Sequence, residues 1–138
     1  MPKNKPINKP IKLALVDDHV AFQQGVETVL NYYPDMELII KADNGAHLLH
    51  LMTNNKPDVI LLDLRMPVMD GFETLAELKK LYPQIKVIIL TMNIDTLMIN
   101  AAMSLGAYSY LLKSADPEEI AKTIRQCHQT NLLSGPAS

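Results

Sequence analysis

Residues 58–73 read DVILLDLRMPVMDGFE. Four aliphatic residues, Val59 to Leu62, run without a polar break into Asp63. A short, continuous, partly β-branched run of this kind marks a strand buried on both faces. The residues behind it carry turn signals, Pro67 and then Asp70-Gly71. From Phe72 the spacing becomes helical, with Phe72, Leu75, Leu78 and Leu81 expected on one face. A buried strand, an acid at its end and a following helix form one β-then-α unit.

The same unit recurs in both directions. Apolar runs stand at Ile11 to Val16, Met36 to Ile40, Val87 to Leu90 and Tyr108 to Leu112. Phe22, Val26, Val29 and Leu30 form one helical stripe, and Ile120, Ile124 and Cys127 another. Asp116, Pro117 and Glu119 supply start signals for the last helix. Gly106 is placed to end the fourth. Five alternations predict an α/β domain with a parallel sheet and helices on both faces.

Residues 11–130 form the expected domain. The opening MPKNKPINKP, residues 1–10, reads as a basic disordered tail, and 131–138 as a C-terminal tail or the start of a linker. The chain of 138 residues is 48% hydrophobic and 20% charged, with a net charge of −2. That balance lacks the basic stripe that nucleic-acid binding requires, so no nucleic acid is expected on this chain. No apolar run is long enough to span a bilayer and no signal pattern opens the chain. The single Cys127 excludes an internal disulfide and fits a reducing cytosol. A cytoplasmic protein without membrane contact is expected.

In an open parallel sheet, ligands bind beyond the carboxyl ends of the strands. There the first strand ends in Asp17-Asp18, the third in Asp63, the fourth in Thr91 and the fifth in Lys113. Each alone has an ordinary explanation as a turn residue, a β-branched strand residue or a surface lysine. Together they place three acids, a hydroxyl and an amine at one edge. Crowded carboxylates repel, and a small hard cation such as Mg2+ relieves them through oxygen ligands. A lysine and a hydroxyl beside such a cation can position and neutralise a phosphoryl group. Asp63 is then the candidate nucleophile, forming an acyl phosphate.

The stretches LALVDDH, DVILLDLRMPVMDGFE, VIILTM and GAYSYLLKSADPEEI resemble the receiver domain of bacterial two-component response regulators over residues 11–130. DDH and YLLKSADPEEI are similar to the NarL/LuxR subgroup. The resemblance implies a doubly wound (βα)5 fold with strand order 2-1-3-4-5. It implies Asp63 as phosphoacceptor, Asp18 as direct magnesium ligand, Asp17 as its helper through water, and Arg65 as a metal ligand through its backbone carbonyl. Thr91 and Tyr110 would be switch residues and Lys113 the conserved lysine. It further implies a sensor histidine kinase as partner, a phosphorylation-dependent homodimer, and a DNA-binding output domain outside this chain, with a stand-alone receiver that signals by docking to a protein as the alternative. The role is signalling rather than enzymatic.

Two positions stand apart from the common family pattern. Ser114 follows Lys113 where many receivers have proline, so a trans peptide is expected there. Met92 follows Thr91 where a small residue is common, and its bulk would lengthen the acyl phosphate's lifetime by shielding it from water. His19 reads as a helix-start residue beside the site, since Mg2+ prefers oxygen. His47, His50 and His128 show no ligand spacing. The segment IDTLMINAAMSL is apolar nearly all round and is expected to combine core packing with an interaction surface. A haloacid-dehalogenase-like phosphatase would need a DxD at the first strand, and a flavodoxin-type carrier a Ser/Thr/Gly-rich phosphate loop; neither is present. No P-loop or dinucleotide fingerprint occurs.

Overall fold

A computed structural model describes residues 9–134; of the tails expected at 1–10 and 131–138, residues 1–8 and 135–138 lie outside the described residues. Strands β1 (Ile11–Val16), β2 (Met36–Ala42), β3 (Val59–Asp63), β4 (Lys86–Thr91) and β5 (Ser109–Leu112) alternate with helices. The helices are α1 (Val20–Tyr32), α2 (Gly45–Leu51), α3 (Gly71–Leu81), α4 (Thr96–Ser104) and α5 (Pro117–Ser134). All pairings are parallel and the order is β2-β1-β3-β4-β5, as expected. The strand order reverses between β1 and β3. This switch point brings the ends of those two strands side by side.

Alternate residues of each strand divide the core between the two faces. Ala14, Val16, Ile60, Leu62, Val87 and Ile89 pack with Leu48, Met52, Leu75, Leu78 and Ala102 of α2, α3 and α4. Leu13, Leu15, Val59, Leu61, Ile88 and Leu90 pack with Val26, Leu30, Ile120, Ala121, Ile124 and Cys127 of α1 and α5. Because the sheet is covered on both sides, its central strands β3 and β4 carry unbroken aliphatic runs, Val59–Leu62 and Val87–Leu90, whereas the edge strand β2 admits Glu37 and Lys41. Burial pushes the Cys127 thiol up to about 12, so it behaves as a small core hydrophobe and not as a nucleophile. No helix among the described residues is long and apolar enough to cross a membrane.

Two expectations are corrected. Leu81 is 52% exposed rather than part of the core stripe. Each step of three residues falls about 60° short of a full turn, so after three such steps Leu81 lies roughly opposite Phe72. Thr74 occupies the interior instead, its hydroxyl donating to the Asp70 carbonyl at 2.7 Å. The last helix also runs on to Ser134, through four residues read from the sequence as tail.

Local signals position the loops. Gly106 has φ +106°, a left-handed conformation that favours glycine. Its N–H donates to the Met103 carbonyl and that of Ala107 to the Ala102 carbonyl, the two bonds of a Schellman termination of α4. Asp70 and Glu73 form a reciprocal capping box at the start of α3. Gly71 therefore opens the helix rather than merely closing a turn. It packs on the backbone of β3's end, where an added Cβ would stand 2.5 Å from both the Asp63 carbonyl oxygen and the Leu64 Cα. All described peptide bonds are trans, including Lys113-Ser114.

Gly71→Ala should lower stability by about 1–3 kcal/mol, the ordinary cost of overpacking, because backbone must move to admit the methyl group. Urea denaturation of the two proteins measures it. A change of less than half a kcal/mol (about one third of RT-scaled tenfold) would mean the β3–α3 contact is looser than described.

Candidate functional site

The residues singled out at the strand ends converge. Asp17 is fully buried and Asp63 nearly so, while Asp18 at the mouth is exposed. Asp17, Asp18, His19 and Asp63 each offer a ligand atom, and these atoms lie within 4.8 Å of one another. Lys113, reaching in from the end of β5, sets its Nζ 2.6 Å from Asp17 Oδ2 and 3.1 Å from Asp63 Oδ2. Only 7% of its side chain is exposed. The Phe22 ring of α1 flanks the ammonium at 4.9 Å, a cation–π contact that the apolar stripe of α1 did not announce.

Main-chain donors hold the acids. Asp17 Oδ1 accepts from the His19 N–H at 2.8 Å, and Asp63 Oδ1 from the Arg65 N–H at 3.1 Å. His19 stands at the N-cap position of α1 but its side chain makes no cap; Nδ1 faces Asp17 Oδ1 at 3.2 Å and Asp18 Oδ1 at 3.6 Å. Asp17 Oδ2 has Lys113 as a charge partner but no well-aligned hydrogen bond. Two buried carboxylates thus share one ammonium, with the third acid, Asp18, at the mouth. A buried oxygen with spare acceptor capacity, beside two more acids, fits a hard divalent cation. The cluster could hold such an ion.

The electrostatics express the same imbalance. Burial pushes the Asp63 carboxyl above its ordinary value, and the nearby Asp17 charge adds to this; the Arg65 N–H and Lys113 only partly offset it. Burial pulls the Lys113 ammonium down, but its contacts with Asp17 and Asp63 outweigh that and its pKa rises. One cation with two carboxylates gains more than either carboxylate gains from half a cation.

The remaining predicted residues are near but differently engaged. Arg65, Thr91, Met92 and Lys113 line one cavity with Asp63, together with Asp95 and Met98 from the start of α4. The Thr91 hydroxyl donates to the Asn93 carbonyl at 2.7 Å, within its own loop. Arg65 turns its guanidinium to Met98 Sδ at 3.4 Å. Met92 is 70% exposed at the rim, and Tyr110 lies with its side chain partly in solvent. Sequence reasoning overlooked Gln23, a buried amide on α1 whose Nε2 donates to the Asp17 carbonyl. A polar residue within an apolar stripe was the available signal.

The family description "Response regulator receiver domain" matches residues 13–125. This chain belongs to that family. The receiver domain is 31% identical over 123 residues to the transcriptional regulatory protein DegU of Brevibacillus brevis, covering 88% of this chain and 52% of that one. It is 33% identical over 118 residues to the nitrate/nitrite response regulator protein NarL of Escherichia coli, covering 86% and 55%. The chain therefore spans little more than half the length of these relatives. Among solved structures, it superimposes on the signal receiver domain of a response regulator NarL from Mycobacterium tuberculosis with a TM-score of 0.81 and 30% identity. That match covers 88% of this chain and 98% of the other. A CheY-like receiver domain protein from Methanospirillum hungatei gives a TM-score of 0.84 at 24% identity, over 92% of this chain and all of that one, a likeness of fold alone.

Because the folded state raises the Asp63 pKa, the native protein holds that proton more tightly than the unfolded chain. Its contribution to stability is present below the ordinary carboxylate pKa of about 4 and lost as pH rises through the raised value. Asp63→Asn should therefore be more stable than the parent at neutral pH with divalent ions chelated. The gain should fade as pH falls below about 4, where both side chains are neutral. Thermal unfolding across pH tests this; equal stability at neutral pH would contradict the charge-crowding account.

Proposed function

We propose that this receiver domain is a phosphorylation switch in which Asp63 accepts a phosphoryl group from a sensor histidine kinase. The observation that carries the reading is the placement of Lys113 between Asp17 and Asp63, with Asp18 and a solvent-facing cavity beside them. Asp63 is the buried acid that also borders the cavity, so a donor can reach it there. In the transfer, a P–O bond forms at the Asp63 carboxylate as the P–N bond to the donor imidazole breaks, the nitrogen keeping the electron pair. Lys113 stays beside the reacting oxygens as fixed positive charge, which positions the group and neutralises it.

Asp17, Asp18, Asp63 and the Arg65 carbonyl would hold Mg2+, which when bound supplies charge neutralisation for the phosphoryl oxygens. Asp18, at the mouth, would be a direct ligand, and the buried, ion-paired Asp17 would support the ion through water. Thr91 would exchange its bond to Asn93 for one to the phosphoryl group, and Tyr110 would follow into the space released. Met92 at the rim slows the approach of water to the acyl phosphate.

Output follows by population shift. Moving a two-state equilibrium from 1:99 to 99:1 requires a differential stabilisation of about 5.5 kcal/mol. The changed surface of α4, β5 and α5 would then favour a homodimer, and through it a DNA-binding domain joined to this one would control transcription. The lengths and names of DegU and NarL support that arrangement. The location is the cytoplasm, and the only catalysis expected is slow self-dephosphorylation.

Incubation with acetyl phosphate and Mg2+ should add the mass of one phosphoryl group, and chelation should prevent it. Asp63→Asn should take no label; labelling of that variant would disprove the assignment. Met92→Ala should lose phosphoryl faster than the parent, followed by mass spectrometry after removal of the donor. An unchanged or slower rate would remove Met92 from the mechanism.

A further inference from the structure

Gln23 lies on the inner face of α1, beside the buried Val26 and Leu30, and is only 8% exposed. An amide in such a place is costly unless its hydrogen-bonding groups are used. Its Nε2 donates to the Asp17 carbonyl and lies 3.4 Å from the Ala42 carbonyl and 3.3 Å from Asp43 Oδ1. The Ala42 carbonyl also accepts from the Asp17 N–H at 3.0 Å. Among the hydrogen bonds of the described residues, Gln23 is the one donor to the Asp17 carbonyl. A single side chain therefore gathers the end of β1, the end of β2 and the first residue of the β2–α2 loop, directly behind the acid pair.

We infer that Gln23 is a positioning residue: by fixing the main chain of Asp17 it sets the directions in which the Asp17 and Asp18 carboxylates leave β1, and so tunes the affinity of the acidic cluster for a divalent cation. Asp17 and Asp18 are consecutive, so rotation of the peptide that joins them redirects both carboxylates at once. The carbonyl of that peptide is the atom that Gln23 holds. On the strand side the Asp17 N–H is already tied to Ala42, so the carbonyl is the remaining point of freedom. Gln23 touches no ligand atom and acts only through this peptide. Asp43, exposed on the β2–α2 loop, completes the clamp and gives that loop a connection to the cluster.

This inference rests on the reading of the cluster as a divalent-cation site. Isothermal titration of Mg2+ into the full chain separates the two. The parent should bind, and Gln23→Met, similar in size but without a donor, should bind about tenfold more weakly, as loss of a partner behind the ligands commonly does. A residue important only for packing would lower the melting temperature and leave the affinity of the folded protein unchanged. If Gln23→Met fails to fold, Gln23→Asn, one methylene too short for the three acceptors, takes its place with the same expected weakening. Binding by the folded variant within about twofold of the parent would overturn the positioning role alone; absence of Mg2+ binding by the parent would overturn it together with the site reading.

Discussion

One ammonium serves two buried carboxylates, and the architecture around the site follows from that shortage of positive charge. Lys113 stands 2.6 Å from Asp17 and 3.1 Å from Asp63. Each acid comes from a different strand, and the lysine from a third. A parallel sheet whose order reverses between β1 and β3 delivers all three to one edge from these positions in the chain. The two hydrophobic layers hold the strands in register, and the register keeps the charges close. A cluster this crowded would be unfavourable on a pliant scaffold, because the acids could relieve their repulsion by moving apart.

The loops oppose that escape in different ways. On the β3 side, Gly71 lets α3 begin in contact with the backbone of Asp63 and Leu64, and the Asp70–Glu73 capping box fixes the helix start. On the β1 side, the restraint is the Gln23 amide on the Asp17 carbonyl. Phe22, next in sequence, stands against the Lys113 ammonium. The first turn of α1 therefore braces both the negative and the positive partner. Neither restraint is apolar packing of the usual kind, although both sit on a helix face that is otherwise core.

These facts explain which features could be read from the sequence. The strands were legible because a sheet covered on both faces imposes continuous aliphatic runs, and the order 2-1-3-4-5 followed from family resemblance. The acids and Lys113 were legible because strand ends in such a sheet face one edge, so position along the chain translates directly into proximity. Leu81 was misread because spacing by threes imitates a helical stripe over two turns and drifts off it over three. Gln23 was passed over because its partners are main-chain carbonyls, which every residue possesses and no motif advertises. The orientation of Thr91 had no sequence signal either, since a hydroxyl at a strand end can turn to its own loop, as here to Asn93, or to the cavity it borders.

That choice bears on where the energy of the proposed switch must originate. The Thr91–Asn93 bond is local and neutral, and such a bond contributes about 0.5–1.5 kcal/mol, whereas a bond to a charged acceptor contributes about 1.5–3 kcal/mol. Exchanging one for the other therefore yields on the order of 1 kcal/mol, well short of the roughly 5.5 kcal/mol needed for a full reversal of populations. Lys113 adds little by moving, because it already has two anionic partners in the described state. The larger share must come from rearranging the crowded charges themselves. Phosphorylation changes the number and placement of negative oxygens around a fixed ammonium, and a divalent cation changes the sign of the local balance. In the proposed switch, Thr91 and Tyr110 would then report the change and the acid cluster would drive it.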